Sequence, residues 1–436
     1  MTTAAHGGLA PSRQELPNGA AIIAKESRMT PAVTLMAALR AGGQHDPDDR
    51  LGLAHFLSKT LDRGTGNRSA DQIARDLDNR GVTLDVSATR HVLSVSCTCL
   101  AEDFEAMFAL LGDIVRNPVF PEDEIETRRG EIVTSIRQDE DSPAVMALET
   151  LFEMLYPGGH PYGRRAKGTI ATVGRIDRQA LVAFHRTRVV PSALSLVVVG
   201  DVPESRALAV AGEIFGSWEG PVPGEALLPP VRMAASRRQA VIPMMNKAQA
   251  DVAYGFTTIT RADPSYYACL LMNNVLGQYA LGGRLGGSIR ERQGMAYYAF
   301  SAFDANVGAG PLVIRAGVNP ANVERAVASI DEEVRAMATD GVTASELEDS
   351  ERYLIGSMPR MLETNAGIAA FLHNAEMFGL GLDHDVQLPA LLGAVTRDDV
   401  NDVARRFLAP ERATVAIAGP CEPAAPAPPG TAVRPA

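Results

Sequence analysis

The chain is written twice. Segments 219 residues apart read alike at both ends of a long unit. Ala32-Val-Thr-Leu-Met-Ala-Ala-Leu-Arg answers to Asp251-Val-Ala-Tyr-Gly-Phe-Thr-Thr-Ile, and Ile176-Asp-Arg-Gln-Ala-Leu to Val395-Thr-Arg-Asp-Asp-Val. Pro191-Ser-Ala-Leu-Ser-Leu-Val-Val-Val-Gly answers to Pro410-Glu-Arg-Ala-Thr-Val-Ala-Ile-Ala-Gly. Each match is faint, but one offset shared by both ends is hard to obtain by chance. A duplicated unit of this size calls for two domains of one type, each with its own core, and 436 residues suffice for both.

Within the first copy the hydrophobic period alternates between helix and strand. It predicts a strand over 32–40, helices over 50–62 and 70–80, and one long strand over 82–100. Helices follow over 102–116, 121–140, 144–156 and 177–188. The unbroken apolar, β-branched run 194–199 predicts a central strand, covered on both faces. The fold class is α+β: two homologous domains, 1–218 and 237–420, each a mixed sheet with helices. A Pro/Gly-rich linker, 219–236, separates them. The Pro/Ala-rich end, 421–436, reads as a disordered tail.

Composition removes several function classes. With 41 basic and 52 acidic residues the net charge is −11, which argues against nucleic acid or an anionic membrane as partner. No apolar run approaches the roughly 20 residues a bilayer span needs. The N-terminus shows no secretory pattern. Four cysteines without metal spacing form no disulfide framework, so the cytoplasm is expected, with the periplasm as the alternative if a leader is missing. The glycines at 282–287 lack the Lys of a phosphate loop.

Two stretches carry chemistry. On the helix over 50–62, Leu53, Phe56, Leu57 and Leu61 have core spacing, while His55, Ser58, Lys59 and Asp62 share another face. In an inverted zinc motif, H-x-x-E-H, that face presents two imidazoles to the metal and a carboxylate to the attacking water. Leu51-Gly-Leu-Ala-His-Phe-Leu-Ser-Lys resembles the zinc helix of the pitrilysin–insulinase–mitochondrial processing peptidase family, in a setting like G-L-A-H-F-L-E-H. Ser58 stands where that family has its general base, and Lys59 where it has its second histidine. The family's third ligand is a Glu 76 residues further on, and counting from Lys59 reaches Ser135. The resemblance therefore implies a metal site of which only His55 survives, and no metal is expected in this chain. Glu131, one turn before Ser135, is no substitute while Lys59 opposes a cation. The plain alternative for His55 is a half-buried helix histidine with no role.

The second stretch is intact. Gly282-Gly-Arg-Leu-Gly-Gly-Ser-Ile-Arg-Glu-Arg-Gln-Gly-Met-Ala-Tyr297 resembles the family's segment in which an Arg and a Tyr, seven apart, reach the substrate. The matching pair is Arg290 and Tyr297. Leu285 and Ile289 would anchor a helix that Gly294 ends in a left-handed cap, with Tyr297 in the next strand. Both side chains donate hydrogen bonds suited to a carbonyl gaining negative charge. His160-Pro-Tyr-Gly163 with Gly168-Thr169 is also similar to the family, as is Leu84-Asp-Val-Ser-Ala-Thr89, an edge strand for substrate addition.

The resemblance implies a LuxS/processing-peptidase-like fold forming half of a clamshell. It also implies a non-catalytic subunit of a heterodimeric zinc peptidase. A homologous partner with H-x-x-E-H would hold the zinc, and unfolded peptides would be the substrate. This chain would supply Arg290 and Tyr297 in trans. The rivals are a scaffold or binding protein without proteolytic role, and an active peptidase with a rearranged site.

Overall fold

The computed structural model describes residues 8–224, 228–278 and 282–421; the tail expected beyond 420 lies almost wholly outside them. Two sheets organise the molecule. The first contains β1 (Ser12–Glu15), β2 (Ala21–Glu26), β3 (Ala32–Leu39), β4 (Leu84–Ala88), β5 (Leu93–Leu100) and β6 (Leu194–Gly200). The second contains β7 (Arg238–Pro243), β8 (Ala250–Thr257), β9 (Ala296–Phe303), β10 (Pro311–Val318) and β11 (Thr414–Gly419).

The strand order β2-β6-β3-β5-β4 recurs as β7-β11-β8-β10-β9. β6 lies parallel to β2 and antiparallel to β3, as β11 does to β7 and β8. Helices recur as well. Phe104–Arg116, Glu122–Glu140 and Arg178–Arg188 find counterparts in Val323–Thr339, Ala344–Met361 and Arg397–Phe407. The duplication seen in the sequence is a duplication of topology.

One expected element is wrong. The strand over 82–100 is two strands, β4 and β5, joined by a tight turn. The Thr89 hydroxyl accepts from the N–H groups of His91 and Val92, and the Thr89 N–H donates to the Val92 carbonyl. This local hydroxyl-to-backbone bonding supplies a turn without Gly or Pro, which is why hydrophobic pattern missed it.

Each unit lends a helix to the other's sheet. Pro143–Leu155 buries Ala147, Leu151 and Leu155 against Ala253 of β8, Val313 of β10 and Ala416 of β11. Its counterpart Asn365–Met377 buries Ile368, Ala369 and Leu372 against Ile23 of β2 and Val197 and Val199 of β6. Each sheet has its own unit's helices on the other face, around cores containing Leu35, Phe56 and Phe108 in one unit and Leu276, Ile314 and Phe407 in the other. Burial on both faces explains the unbroken apolar run in β6. The exchange also ties the two units together through apolar side-chain packing.

The segments of chemical interest lie along the sheet edges. β4 and β9 end their sheets. The short helix Leu53–Thr60 packs on β4, and two π-helical segments, Asn274–Gln278 and Gly286–Arg292, pack on β9.

Candidate functional site

The helix carrying His55 is held at its start by an interlock. Gly52 has φ +92°, and a Cβ there would lie 2.3 Å from the Lys167 carbonyl. Gly168 has φ +74°, and a Cβ there would lie 2.0 Å from the Leu51 carbonyl. Only glycine serves at either position, because both the backbone angle and the space exclude a side chain. The Thr172 hydroxyl donates to the Leu51 carbonyl at 2.8 Å. The buried Asp46 carboxylate accepts from the N–H groups of Gly52 at 2.8 Å and Ala54 at 2.9 Å, capping the helix. Burial nevertheless pushes the Asp46 carboxyl up to about 6, against those hydrogen bonds. The interlock presses the segment carrying Lys167 against the helix.

Leu53, Phe56, Leu57 and Leu61 face the core as their spacing predicts. The helix runs from Leu53 to Thr60, shorter at both ends than the pattern suggests; its later start follows from left-handed Gly52. Ser58 is buried and donates to the His55 carbonyl at 2.7 Å, so its hydroxyl is consumed within the helix. Lys59 is exposed. His55 is half-buried and its imidazole pKa is lowered to about 4, by burial first and then by Lys59 and Lys167, with Asp139 opposing.

Ser135 lies on the long helix Glu122–Glu140, which packs against the His55 helix. Its hydroxyl accepts from the Lys167 ammonium at 2.8 Å, and Asp139 accepts from the same ammonium at 2.6 Å. A fixed side-chain cation therefore sits on Ser135, where the family resemblance implies a third zinc ligand. Glu131 is turned to Arg128, at 2.7 Å. Among the described residues no three His, Cys, Asp or Glu side chains gather as a metal site. One imidazole, one amine at Lys59 and one ammonium over Ser135 do not fit zinc, which needs three or four deprotonated ligands.

Among the described residues the second unit has no metal face either. The duplication places Asn274, Gly277 and Gln278 where the first unit has His55, Ser58 and Lys59. Gly277 allows that segment to press on β9: a Cβ would lie 2.7 Å from the Ser301 nitrogen. Leu285 and Ile289 are fully buried and anchor the segment Gly286–Arg292. It is π-helical rather than α-helical, with the Gln293 N–H donating to the Ser288 carbonyl five residues back. Gly294 follows at φ +60°, and β9 begins at Ala296.

Arg290 is about half exposed, and its one ion-pair partner among the described residues is its neighbour Glu291, at 3.6 Å. Tyr297 is 84% exposed. The next tyrosine is different. Tyr298 points to the opposite face of β9 and donates to Asp251, and burial with that carboxylate raises its phenol pKa. The strand thus commits Tyr298 and leaves Tyr297 free at the surface.

Sequence reasoning missed Lys167. A signal was present: the chain has only four lysines, Lys25, Lys59, Lys167 and Lys247, among 41 basic residues, and two of them meet at this site. His160, by contrast, is a buried structural residue. Its Nδ1 accepts from the Tyr162 N–H at 3.0 Å, and its ring stacks on Tyr156.

Comparison with known proteins agrees with this architecture. Residues 21–164 match the family model described as insulinase (peptidase family M16), and residues 175–354 match the one described as peptidase M16 inactive domain. An uncharacterized zinc protease of Mycobacterium leprae is 27% identical over 414 residues, covering 94% of this chain and 91% of that protein. The non-peptidase homolog YmxG of Helicobacter pylori is 23% identical, covering 87% of each. The crystal structure of a peptidase M16 inactive domain from Pseudomonas fluorescens superimposes with a TM-score of 0.87 at 24% identity, over 94% of this chain and 98% of that one.

Proposed function

Since the chain belongs to the insulinase (M16) family of peptidases, we propose that it is the non-catalytic half of a two-chain zinc peptidase acting on unfolded peptides. One contrast carries the reading. The metal face is occupied by the chain's own ammonium on Ser135, while Arg290 and Tyr297 stand exposed on a buried, well-anchored frame. A homologous partner with an intact H-x-x-E-H would hold zinc and the general base. Arg290 and Tyr297 would face that partner's site in trans and donate hydrogen bonds to the scissile carbonyl as its oxygen gains charge. The two domains, 1–218 and 237–420, would form one half of a clamshell, with the 219–236 linker between them. β4, an edge strand as the sequence suggested, would offer its free side to an extended peptide.

The test is reconstitution with the partner. The chain alone should carry no stoichiometric zinc and cleave no peptide. In the complex, Arg290→Ala or Tyr297→Phe should lower kcat by about 10²–10³, the usual cost of losing an oxyanion donor, with zinc content unchanged. If neither substitution alters cleavage, the second reading takes over: a scaffold with no proteolytic role. The name of the Helicobacter pylori relative, a non-peptidase homolog, favours that rival. The exposed Arg290 and Tyr297 argue against it, since a scaffold needs neither group exposed.

A further inference from the structure

Beside the vestigial helix a cleft opens between the 163–167 segment, the exchanged helix Pro143–Leu155 and β10. Its walls are cationic. Arg90, Arg164, Arg165, Lys167 and Arg315 face two carboxylates, Asp139 and Glu149. The chain as a whole carries a net charge of −11, so this local excess of cations runs against the overall balance.

Pairing uses up three of the five. Lys167 is held by Asp139 at 2.6 Å, and Arg165 by Glu149 at 3.0 Å. Arg164 pairs with Asp48 and donates to the carbonyls of Gly159 and Asp46. Two guanidinium groups remain. Arg90 lies over the Phe152 ring, 4.4 Å from its centroid, and 5.8 Å from that of Tyr162. Its Nε is buried without a hydrogen-bond partner, and it has no ion-pair partner among the described residues. Arg315 donates to the Ala144 carbonyl at 3.1 Å and lies beside the Tyr298 hydroxyl, and it too has no acid partner among them. Arg90 comes from one unit and Arg315 from the other, and the apolar side chains of Val145, Leu148 and Phe152 lie in the same cleft.

We propose that this cleft binds the carboxylates of an extended acidic peptide. Arg90 and Arg315 are its two charged contacts, and the apolar side chains between them take the peptide's non-polar groups. A planar guanidinium offers parallel N–H donors that match a carboxylate, and ring stacking already orients that of Arg90. A partly apolar cleft walled by both units suits a peptide better than a small inorganic anion. The binding belongs to this chain alone and does not depend on a catalytic partner.

Fluorescence anisotropy of the full chain with a labelled peptide bearing several Glu, and with its Gln counterpart, tests this. The acidic peptide should bind on the order of a hundredfold tighter at low salt, the worth of two charge-assisted pairs, and the preference should fade as salt rises. Arg90→Gln with Arg315→Gln should abolish the preference, while Arg206→Gln, a surface arginine elsewhere, should leave it. Arg90→Lys, which keeps the charge and much of the stem, guards against loss through misfolding and should retain part of the preference. Equal affinity for the two peptides overturns the proposal. So does an unchanged preference in the folded double variant, or displacement of the peptide by inorganic phosphate at stoichiometric concentration.

Discussion

Rebuilding the zinc site by restoring its missing ligands should fail unless Lys167 is removed as well. The perturbation is Ser58→Glu, Lys59→His and Ser135→Glu, with and without Lys167→Ala. The structure supplies the reason. The Lys167 ammonium is 2.8 Å from the Ser135 hydroxyl and is anchored by Asp139 at 2.6 Å. A carboxylate introduced at 135 would find that ammonium already in hydrogen-bond reach. A zinc ion sharing the same carboxylate would then lie on the order of 4 Å from it. At an effective dielectric of about 20, a divalent and a unit charge at that distance repel by about 8 kcal/mol. The Lys167 side chain is 32% exposed, so solvent screening and a swing outward recover part of this, at the expense of the Asp139 pair. A residual of about 3–4 kcal/mol corresponds to roughly 10²–10³ in zinc affinity. Chelator competition, with metal content measured after dialysis, reads the difference. Equal affinity with and without Lys167 would falsify the view that the ammonium stands in for the metal.

Two other consequences can be measured on the isolated chain. Leu151 is fully buried in the exchanged helix, so Leu151→Ala should cost about 2–5 kcal/mol. Hydrogen exchange should show protection lost in β8 and β11 of the other unit, and loss confined to the first unit would contradict the packing described. As to pH, burial lowers His45, His55 and His91 to about 4 from 6.5. A lowered folded pKa gives stability that is present above about 6.5 and lost as pH falls toward 4. Asp46, raised to about 6, acts in the opposite sense and offsets part of this. The urea midpoint should therefore drop between pH 6.5 and 4, and His91→Gln should flatten the slope; a midpoint that rises on acidification refutes the assignment.

The helix faces, the central strand β6 and the surroundings of Arg290 were legible because each rests on local rules. Core spacing placed Leu53, Phe56 and Leu57, and Gly294 marked a left-handed end. The turn at Thr89 was not legible, since a hydroxyl took the part expected of Gly or Pro. The π-helical winding of Gly286–Arg292 was likewise hidden, because it answers to packing on β9 rather than to side-chain preference. Tyr297 and Tyr298 are neighbours of one type; only strand register shows that the second is bound to Asp251 and the first is free.

Resemblance to the peptidase family implies that Ser58, Lys59 and Ser135 replace a general base and two ligands, and by itself the sequence determined that two copies of one α+β unit share this chain. Periodicity and spacing are properties of the chain as written, and they need no partner to be read. The tertiary structure alone decided that the two units exchange helices, and that Lys167 reaches Ser135 across 32 residues of sequence. It alone put Arg90 and Arg315 in one cleft, neither with an acid partner among the described residues. Such facts depend on contacts between distant segments. Two back-to-back glycines and a swapped helix bring those segments together, and no local rule reports what they meet.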